Sequence, residues 1–268
     1  MLFLIVPLIL AAAYLLSLRG RSGHPGMAQL RAFRYAHRGL HNADRPENSM
    51  SAFRAALEHG YGIELDVHLM KDGNLAVIHD SSLKRTAGAD VRIEDLTTEE
   101  LGTYRLIGTD EKIPLFSQVL ELFSGKTPLI VELKCENSNY KPLCQAAMAL
   151  LDQYEGAYCV ESFDPRVVLW LKKHRPQVIR GQLAQNWFKV KNPMPALLKF
   201  PLACLTGNFI TRPDFTAYMF ADRKMFGIGI CRKLWGVQGV SWTIRTPEDL
   251  KSAEQEGWIP IFERFIPE

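Results

Sequence analysis

Two histidines and three carboxylates lie within or beside short apolar runs in the first half of this chain. His37 and His79 stand at the ends of two such runs, and Glu64, Asp66 and Glu132 lie within two others. A pair of histidines can divide proton transfer, because one can accept a proton from an attacking hydroxyl while the other protonates a leaving oxygen. That division of work suits the cleavage of a phosphate ester.

The carboxylates are spaced for a metal ion. Glu64 and Asp66 lie two residues apart, so a strand would point both toward one face. Ligand sets made only of oxygen favour a hard divalent cation, Mg²⁺ or Ca²⁺, over zinc. Such a cation neutralises charge on a phosphoryl oxygen and orients a nucleophile. Arg38 and Lys134 add fixed positive charge for the same anion.

Further short motifs join these residues in a recognisable order. They are His37-Arg38-Gly39, Pro46-Glu47-Asn48-Ser49, Glu64-Leu65-Asp66-Val67, Asp72-Gly73, His79-Asp80, Ile113-Pro114-Leu115, Glu132-Leu133-Lys134, Ser162-Phe163 and Trp242-Thr243. This order resembles the pattern of the glycerophosphodiester phosphodiesterase family. The resemblance covers residues 34 to 260 and is densest before residue 165.

The resemblance implies a fold and an activity. The fold would be a (β/α)8 TIM-type barrel with a small insertion after the third strand. The activity would be metal-dependent hydrolysis of glycerophosphodiesters to glycerol 3-phosphate and an alcohol, in which a glycerol hydroxyl attacks phosphorus to give a cyclic intermediate. The implied roles are His37 and His79 as acid and base, Glu64, Asp66 and Glu132 as metal ligands, Arg38, Lys134 and Trp242 as phosphate or substrate contacts, and Glu47 as support for this shell.

Two departures from the family pattern leave the substrate open. Many members carry Thr-Asp after the last strand, where this chain reads Trp258-Ile259-Pro260-Ile261-Phe262-Glu263-Arg264, and Arg245 stands where Asn is frequent. Both departures are expected on the substrate side of the site. One alternative is therefore lysophospholipase D-type hydrolysis of membrane lysophospholipids. Another is a catalytically inactive, membrane-bound binding barrel, which the presence of all the core residues disfavours.

Composition limits the remaining classes. A chain of 268 residues with 47% hydrophobic and 23% charged residues suits one barrel-sized domain with a large core. A net charge of +3 gives no support for a nucleic-acid partner. The five cysteines lack metal-ligand spacing and favour reduced thiols. No feature of the sequence indicates a protein partner.

The N-terminal segment predicts membrane attachment. Leu2 to Leu18 carries no charged residue, and arginines at 19 and 21 follow it. We therefore expect a transmembrane anchor over residues 1–19, a linker over 20–33 and the barrel domain over 34–268. Since positive residues concentrate on the cytoplasmic side, the pattern predicts a single-pass cell-membrane protein with a cytoplasmic catalytic domain. A signal peptide cleaved near Ala11 to Ala13 is the alternative.

Apolar runs and helical patterns alternate along the remainder, which predicts a parallel α/β barrel. The strand candidates are Arg34 to His37, Gly62 to Val67, Leu75 to His79, Leu129 to Lys134, Ala157 to Ser162, Val178 to Leu183, Phe215 to Phe220 and Gly239 to Thr243. Ile259 to Phe262 is a ninth candidate, so the assignment after residue 183 stays open.

Three connections stand apart. Asp72-Gly73 indicates a hairpin, which would send His79 toward the rim opposite Asp66, so the chemistry calls for an extended return instead. Residues 81–114 form a long connection, expected as the insertion over the barrel mouth. Residues 184–214 mix aromatic residues with lysines, which fits either a helix packed on the barrel or a face lying on a bilayer.

Overall fold

A closed barrel of parallel strands dominates the computed structural model, which describes residues 2–191 and 194–268. The described strands are β1 Tyr35–His37, β2 Gly62–Leu69, β3 Leu75–Val77, β4 Leu129–Leu133, β5 Tyr158–Ser162, β6 Arg180–Ala184, β7 Phe215–Met219, β8 Gln238–Ile244 and β9 Trp258–Phe262. All but β3 run parallel in the ring, and β9 closes it by pairing with β1. The prediction of a TIM-type barrel is confirmed.

Helices cover the outside of the ring. The described helices are α1 Leu2–Ser17, α2 Met27–Arg31, α3 Met50–Glu58, α4 Lys84–Ala87, α5 Thr98–Leu101, α6 Phe116–Phe123, α7 Tyr140–Leu151, α8 Pro165–His174, α9 Ala196–Cys204, α10 Asn208–Thr211, α11 Phe226–Lys233 and α12 Pro247–Gln255, with short 3-10 turns at Ile93–Asp95 and Phe220–Asp222. Side-chain hydrogen bonds cap the N-terminus of several of these helices. Ser49 accepts a hydrogen bond from the Ala52 amide at the start of α3, and Thr246 does the same for Asp249 in α12.

The strands alternate between two cores. On β4, Ile130 packs inside the barrel with Tyr35 and Phe215, whereas Leu129 and Val131 pack outward against the helices. This period-two alternation is what points polar residues at the strand ends into the barrel mouth. The inner core therefore packs directly beneath the polar residues of the barrel mouth.

The N-terminal segment corrects one prediction. Among the described residues, no helix has the length and apolar character needed to cross a membrane. Helix α1 has 16 residues, fewer than the roughly 20 that a bilayer requires. The end of α1 packs on the barrel, where the Trp235 indole donates to the Leu15 carbonyl at 2.9 Å and Leu18, just after the helix, is fully buried. The predicted transmembrane anchor and single-pass membrane location are therefore wrong.

Residues 20–33, expected as a linker, contribute to the barrel floor. Met27 and Leu30 of α2 are buried in the inner core, and the Tyr35 hydroxyl donates to the Leu30 carbonyl at 2.9 Å. Arg31 donates to the Gln238 side chain at 2.6 Å. This segment closes the end of the barrel away from the polar rim.

The hairpin at Asp72-Gly73 corrects a second prediction. Strand β2 runs three residues beyond Asp66, the chain turns with Gly73 at φ 86°, and β3 returns antiparallel with Val77 opposite Val67. The Ile78 amide then donates to the Asp66 carbonyl at 3.0 Å. Because the hairpin rises above the rim and comes back, His79 returns to the level of Asp66. A hairpin thus brings the two residues together, and β9, not the strand before His79, completes the ring.

Two peripheral regions flank the barrel mouth. Residues 81–114 pack around a small core of their own that includes Leu83, Ile93 and Leu101. Residues 194–214 carry α9 and α10, with Leu197 and Phe200 exposed and Ala203 buried. Residues 192 and 193 of the predicted 184–214 connection lie outside the described residues.

Candidate active site

A cavity of about 360 Å³ opens at the carboxyl ends of the strands. It is lined by His37, Arg38, Glu64, His79, Glu132, Lys134, Glu161, Phe163, Leu183, Gln185, Trp242 and Ile261. Seven of the nine residues predicted for the site are in this lining. Of the other two, Asp66 is buried among the lining carboxylates and Glu47 contacts Arg38. The structure therefore brings the predicted set together around one space.

Three carboxylates form the acidic centre of the site. One oxygen from each of Glu64, Asp66 and Glu132 lies within 4.8 Å of the others, and all three side chains are buried. Parallel pairing sets Asp66 opposite Glu132, while Glu64 lies two residues earlier on β2. Burial and mutual repulsion raise the pKa of Glu64 well above its usual value, and burial raises the pKa of Glu132 to about 7.

Two cations sit against this acidic centre. The Lys134 ammonium lies 2.9 Å from both Asp66 Oδ1 and Glu132 Oε1, and Arg38 Nε lies 3.3 Å from Asp66 Oδ2. Burial opposes ionisation of Asp66, but Lys134, His79 and Arg38 outweigh it and hold the pKa of that carboxyl well below its ordinary value. Asn48 also donates to Asp66 Oδ2 at 2.8 Å. Asp66 is thus an ionised carboxylate that contacts both cations.

His37 is held by a residue that the sequence did not single out for the site. Its Nδ1 donates to Glu263 Oε2 at 2.6 Å, and its Nε2 lies 3.8 Å from Glu64 Oε2. Glu263 also accepts from Arg245 Nε at 2.7 Å. Burial lowers the pKa of His37, while the hydrogen bond to Glu263 opposes that shift. The two departures from the family pattern, expected on the substrate side, therefore contact each other behind His37.

His79 is held by its own neighbour. Its Nδ1 donates to Asp80 Oδ1 at 2.5 Å, and Asp80 accepts from Arg85 Nε at 2.5 Å. Arg85 also donates to Glu47 Oε1 at 2.6 Å, which in turn accepts from Arg38. Burial lowers the pKa of His79, and hydrogen bonds from Arg85 and His79 overcome burial to lower the pKa of Asp80 to about 2.

Two further polar residues were not predicted, one that lines the cavity and one that contacts the backbone of His79. Glu161 on β5 lies opposite Glu132, and burial raises its pKa well above the usual value. Its Oε2 atom has no hydrogen-bond partner among the described residues. His68 is buried beside the hairpin, where its ring contacts Glu94 at 2.8 Å and the His79 carbonyl at 3.1 Å. The period-two spacing of Glu161 from the buried Cys159 was the available signal.

The donor set fits a divalent cation. Four buried carboxyl groups, Glu64, Asp66, Glu132 and Glu161, face the two cations Arg38 and Lys134, which leaves two negative charges when every group is ionised. Burial raises the pKa of Glu64, Glu132 and Glu161, and repulsion from neighbouring carboxylates adds to that shift. All the candidate ligands are oxygen, as Mg²⁺ and Ca²⁺ prefer. A second group, His37, His41 and Glu263, has the spacing of a metal site, but Arg245 already neutralises its carboxylate.

The fold and site define a TIM-type barrel with an acid and histidine centre at the carboxyl ends of its strands. Residues 37–201 match the model of the glycerophosphoryl diester phosphodiesterase family. That match covers more than half of the chain and includes His37, His79 and the three carboxylates. The chain belongs to this family.

Curated relatives agree. The chain is 43% identical over 115 residues to a glycerophosphodiester phosphodiesterase of Bacillus altitudinis, covering 40% of this chain and 46% of that protein. It is 34% identical over 162 residues to one from Caldanaerobacter subterraneus, covering 56% and 65%. It is also 36% identical over 122 residues to a lysophospholipase D of Rattus norvegicus, covering 41% and 38%. The chain thus spans about half the length of the curated relatives it matches.

Solved structures share the fold. A glycerophosphodiester phosphodiesterase of Thermotoga maritima has a TM-score of 0.66 at 25% identity, over 86% of this chain and 93% of that one. An Oleispira antarctica phosphodiesterase, solved with the product sn-glycerol-3-phosphate, has a TM-score of 0.72 at 20% identity, over 91% and 95%. The likeness extends over nearly the whole barrel.

Proposed function

We propose that this chain hydrolyses glycerophosphodiesters to glycerol 3-phosphate and an alcohol. The observation that carries the proposal is the buried cluster of Glu64, Asp66 and Glu132, set in one cavity with both histidines. Family membership supports the same reaction, and so does the product bound in the Oleispira antarctica phosphodiesterase. Each part of the site has a task in cleaving a phosphate diester.

The histidines move the protons. Each donates its Nδ1 hydrogen to a carboxylate, His37 to Glu263 and His79 to Asp80. This fixes the tautomer and leaves each Nε2 available for proton transfer. Because burial lowers both pKa values, a neutral imidazole is available at pH 7 to accept the proton of the glycerol hydroxyl. The second histidine, once protonated, donates to the alcohol oxygen as its bond to phosphorus breaks, and water then opens the cyclic phosphate.

The remaining residues bind the phosphate and the glycerol portion of the substrate. Arg38 and Lys134 supply positive charge at the rim of the acidic cluster. Trp242 lines the same cavity, packs edge to face on Phe163 at 5.8 Å, and has an indole N–H with no partner among the described residues. That N–H is a free donor for a glycerol or phosphoryl oxygen. Glu47 holds Arg38 in place through a 2.9 Å hydrogen bond.

Glu64, Asp66 and Glu132 would hold a divalent cation, Mg²⁺ or Ca²⁺. When bound, such a cation stabilises negative charge on the phosphoryl group. The chain's own contribution is to keep these oxygens converged, since Lys134 and Asn48 fix Asp66 from two sides.

The test is release of glycerol 3-phosphate from glycerophosphocholine by the full chain. Assays contain Mg²⁺, Ca²⁺ or a chelator, with Asp66→Asn as the disabled variant and Asp95→Asn, outside the cavity, as its matched control. We expect release that needs the cation and is lost only in Asp66→Asn. A folded protein that releases no glycerol 3-phosphate under any condition would instead favour a binding barrel without turnover.

A further inference from the structure

A second and larger cavity adjoins the catalytic one. Its volume is about 860 Å³, within the range of about 300 to 1,000 Å³ that small-molecule sites occupy. His79, Glu132, Lys134 and Phe163 line both cavities, so the two spaces meet at the residues that act on phosphate. A ligand whose phosphate lies on these residues can extend directly into the larger space.

Much of the remaining wall of the larger cavity is apolar. Trp187, Met194, Leu198, Leu202 and Leu205 line it, mostly from α9 and the segments beside it. The Leu198 side chain stays 55% exposed although it borders the cavity. Soluble diesters such as glycerophosphocholine have no apolar portion that would cover these side chains. The wall matches a hydrocarbon.

We propose that this cavity holds the acyl chain of a lysophospholipid, so that the protein cleaves phosphodiester lipids that carry one acyl chain. The inference rests on the proposed function and names its substrate class. One acyl chain follows from the chemistry, because attack on phosphorus needs a free hydroxyl on the neighbouring glycerol carbon, which a diacyl lipid lacks. That hydroxyl oxygen bonds to phosphorus, the head-group alcohol leaves with a proton, and water opens the ring to give lysophosphatidic acid.

The first test is a chain-length series with one head group. Glycerophosphocholine and lysophosphatidylcholines of increasing length are supplied below their micelle concentrations to the cation-loaded full chain. We expect kcat/KM to rise with chain length, by up to about fourfold for each methylene that enters the cavity. Repeating the series with the lipids in phosphatidylcholine vesicles shows whether the protein takes its substrate from solution or from a bilayer. A rise of kcat/KM with acyl-chain length in either format supports the proposal.

Matched variants locate the effect. Gly207 lines the cavity, its φ is −79°, and a Cβ atom there would meet no described atom within 4 Å, so Gly207→Leu adds bulk to the wall without a clash. Gly229→Leu on α11 has equally open space outside this cavity and is the control. On α9, Leu198→Asn tests the lining, and Leu197→Asn, at a site 84% exposed and outside the lining, is its control.

The outcomes separate this inference from the proposed function. Gly207→Leu and Leu198→Asn should remove the chain-length dependence while leaving glycerophosphocholine hydrolysis unchanged. A wild type that hydrolyses glycerophosphocholine with no chain-length dependence overturns the acyl site and leaves the proposed function standing. If no diester is hydrolysed, calorimetry with dodecylphosphocholine below its micelle concentration decides. Saturable binding with a negative heat-capacity change, lost in Gly207→Leu, supports the site, and no binding overturns it.

Discussion

The two histidines of the site occupy different regions and depend on different parts of the chain. His37 lies on β1 inside the ring, 13% exposed, and is held by Glu263 after the last strand. His79 follows the hairpin above the rim, 34% exposed, and is held by the adjacent Asp80. The same carboxylate support is thus supplied once by closure of the barrel and once by a neighbour in sequence. The first arrangement is shielded from water, and the second is more open to it.

Removing either imidazole should have the largest effect, and the comparison predicts the same loss from both regions. We expect His37→Ala and His79→Ala each to lower kcat by about 10²- to 10⁴-fold with the fold intact. Exposed His59→Ala is the control. Single-turnover rates with thermal unfolding curves provide the measurement. A near-normal rate in one variant would confine the proton transfer to the other region.

The acidic cluster lies between the two regions, and its response to pH tests whether it binds a cation. Burial raises the pKa of Glu132 to about 7 and also raises that of Glu64, so without a metal Glu132 holds a proton in part of the molecules at neutral pH. Metal binding must displace those protons, so affinity should increase as pH rises. Below pH 7 we expect about a tenfold loss of affinity per pH unit for each displaced proton. Calorimetry with Mg²⁺ and with Ca²⁺ from pH 6 to 8 measures this, and a pH-independent affinity would contradict it.

The supporting carboxylates should separate the regions. Glu263 is buried, so Glu263→Gln leaves His37 without a charged partner and should lower kcat by about 10- to 100-fold. Asp80 is 30% exposed, and water can replace part of its contact, so Asp80→Asn should lower kcat less than tenfold. Since neither residue contacts substrate in this mechanism, KM should stay constant. Equal losses in kcat would show that shielding does not distinguish the two histidines.

The smallest effect is expected at the link between the regions. Arg85 joins Asp80 to Glu47, and Glu47 contacts Arg38 beside His37. Because Arg85 is half-exposed, its ion pairs should contribute about 0.2 to 1 kcal/mol, so Arg85→Ala should change kcat by less than about fivefold. Arg105→Ala, which removes only bonds to backbone carbonyls, is the control. If Arg85→Ala lowered kcat as much as Asp80→Asn does, the support of His79 by Asp80 would depend on Arg85.

Short-range pattern predicted much of this architecture. Alternation along β2 and β4 predicted the convergence of Glu64, Asp66 and Glu132, because residues two apart share a strand face. The contact of His37 with Glu263 spans 226 residues, and no local pattern reports it. The position of His79 also escaped prediction, because the turn signal at Asp72-Gly73 says nothing about how far β2 extends past the rim.

The error at the N-terminus has an equally physical cause. Apolar length alone suggested an anchor, whereas Leu18 is buried against the barrel and the helix ends before it. Residues 184–214 were predicted either to pack on the barrel as a helix or to lie on a bilayer. That Leu198 and Leu205 of this segment line a cavity was not predicted, because it depends on where β6 and β7 place the segment between them.

The bond between His37 and Glu263 also has a consequence during protein synthesis. Because His37 is made long before Glu263, a nascent chain contains all three acidic ligands and both histidines while one histidine still lacks its partner. At about 5 to 20 residues per second, synthesis of the 226 residues that separate His37 from Glu263 takes roughly 10 to 45 s. Until β9 closes the ring and Glu263 follows it, the ribosome-bound chain therefore carries the proposed site without the carboxylate that holds His37.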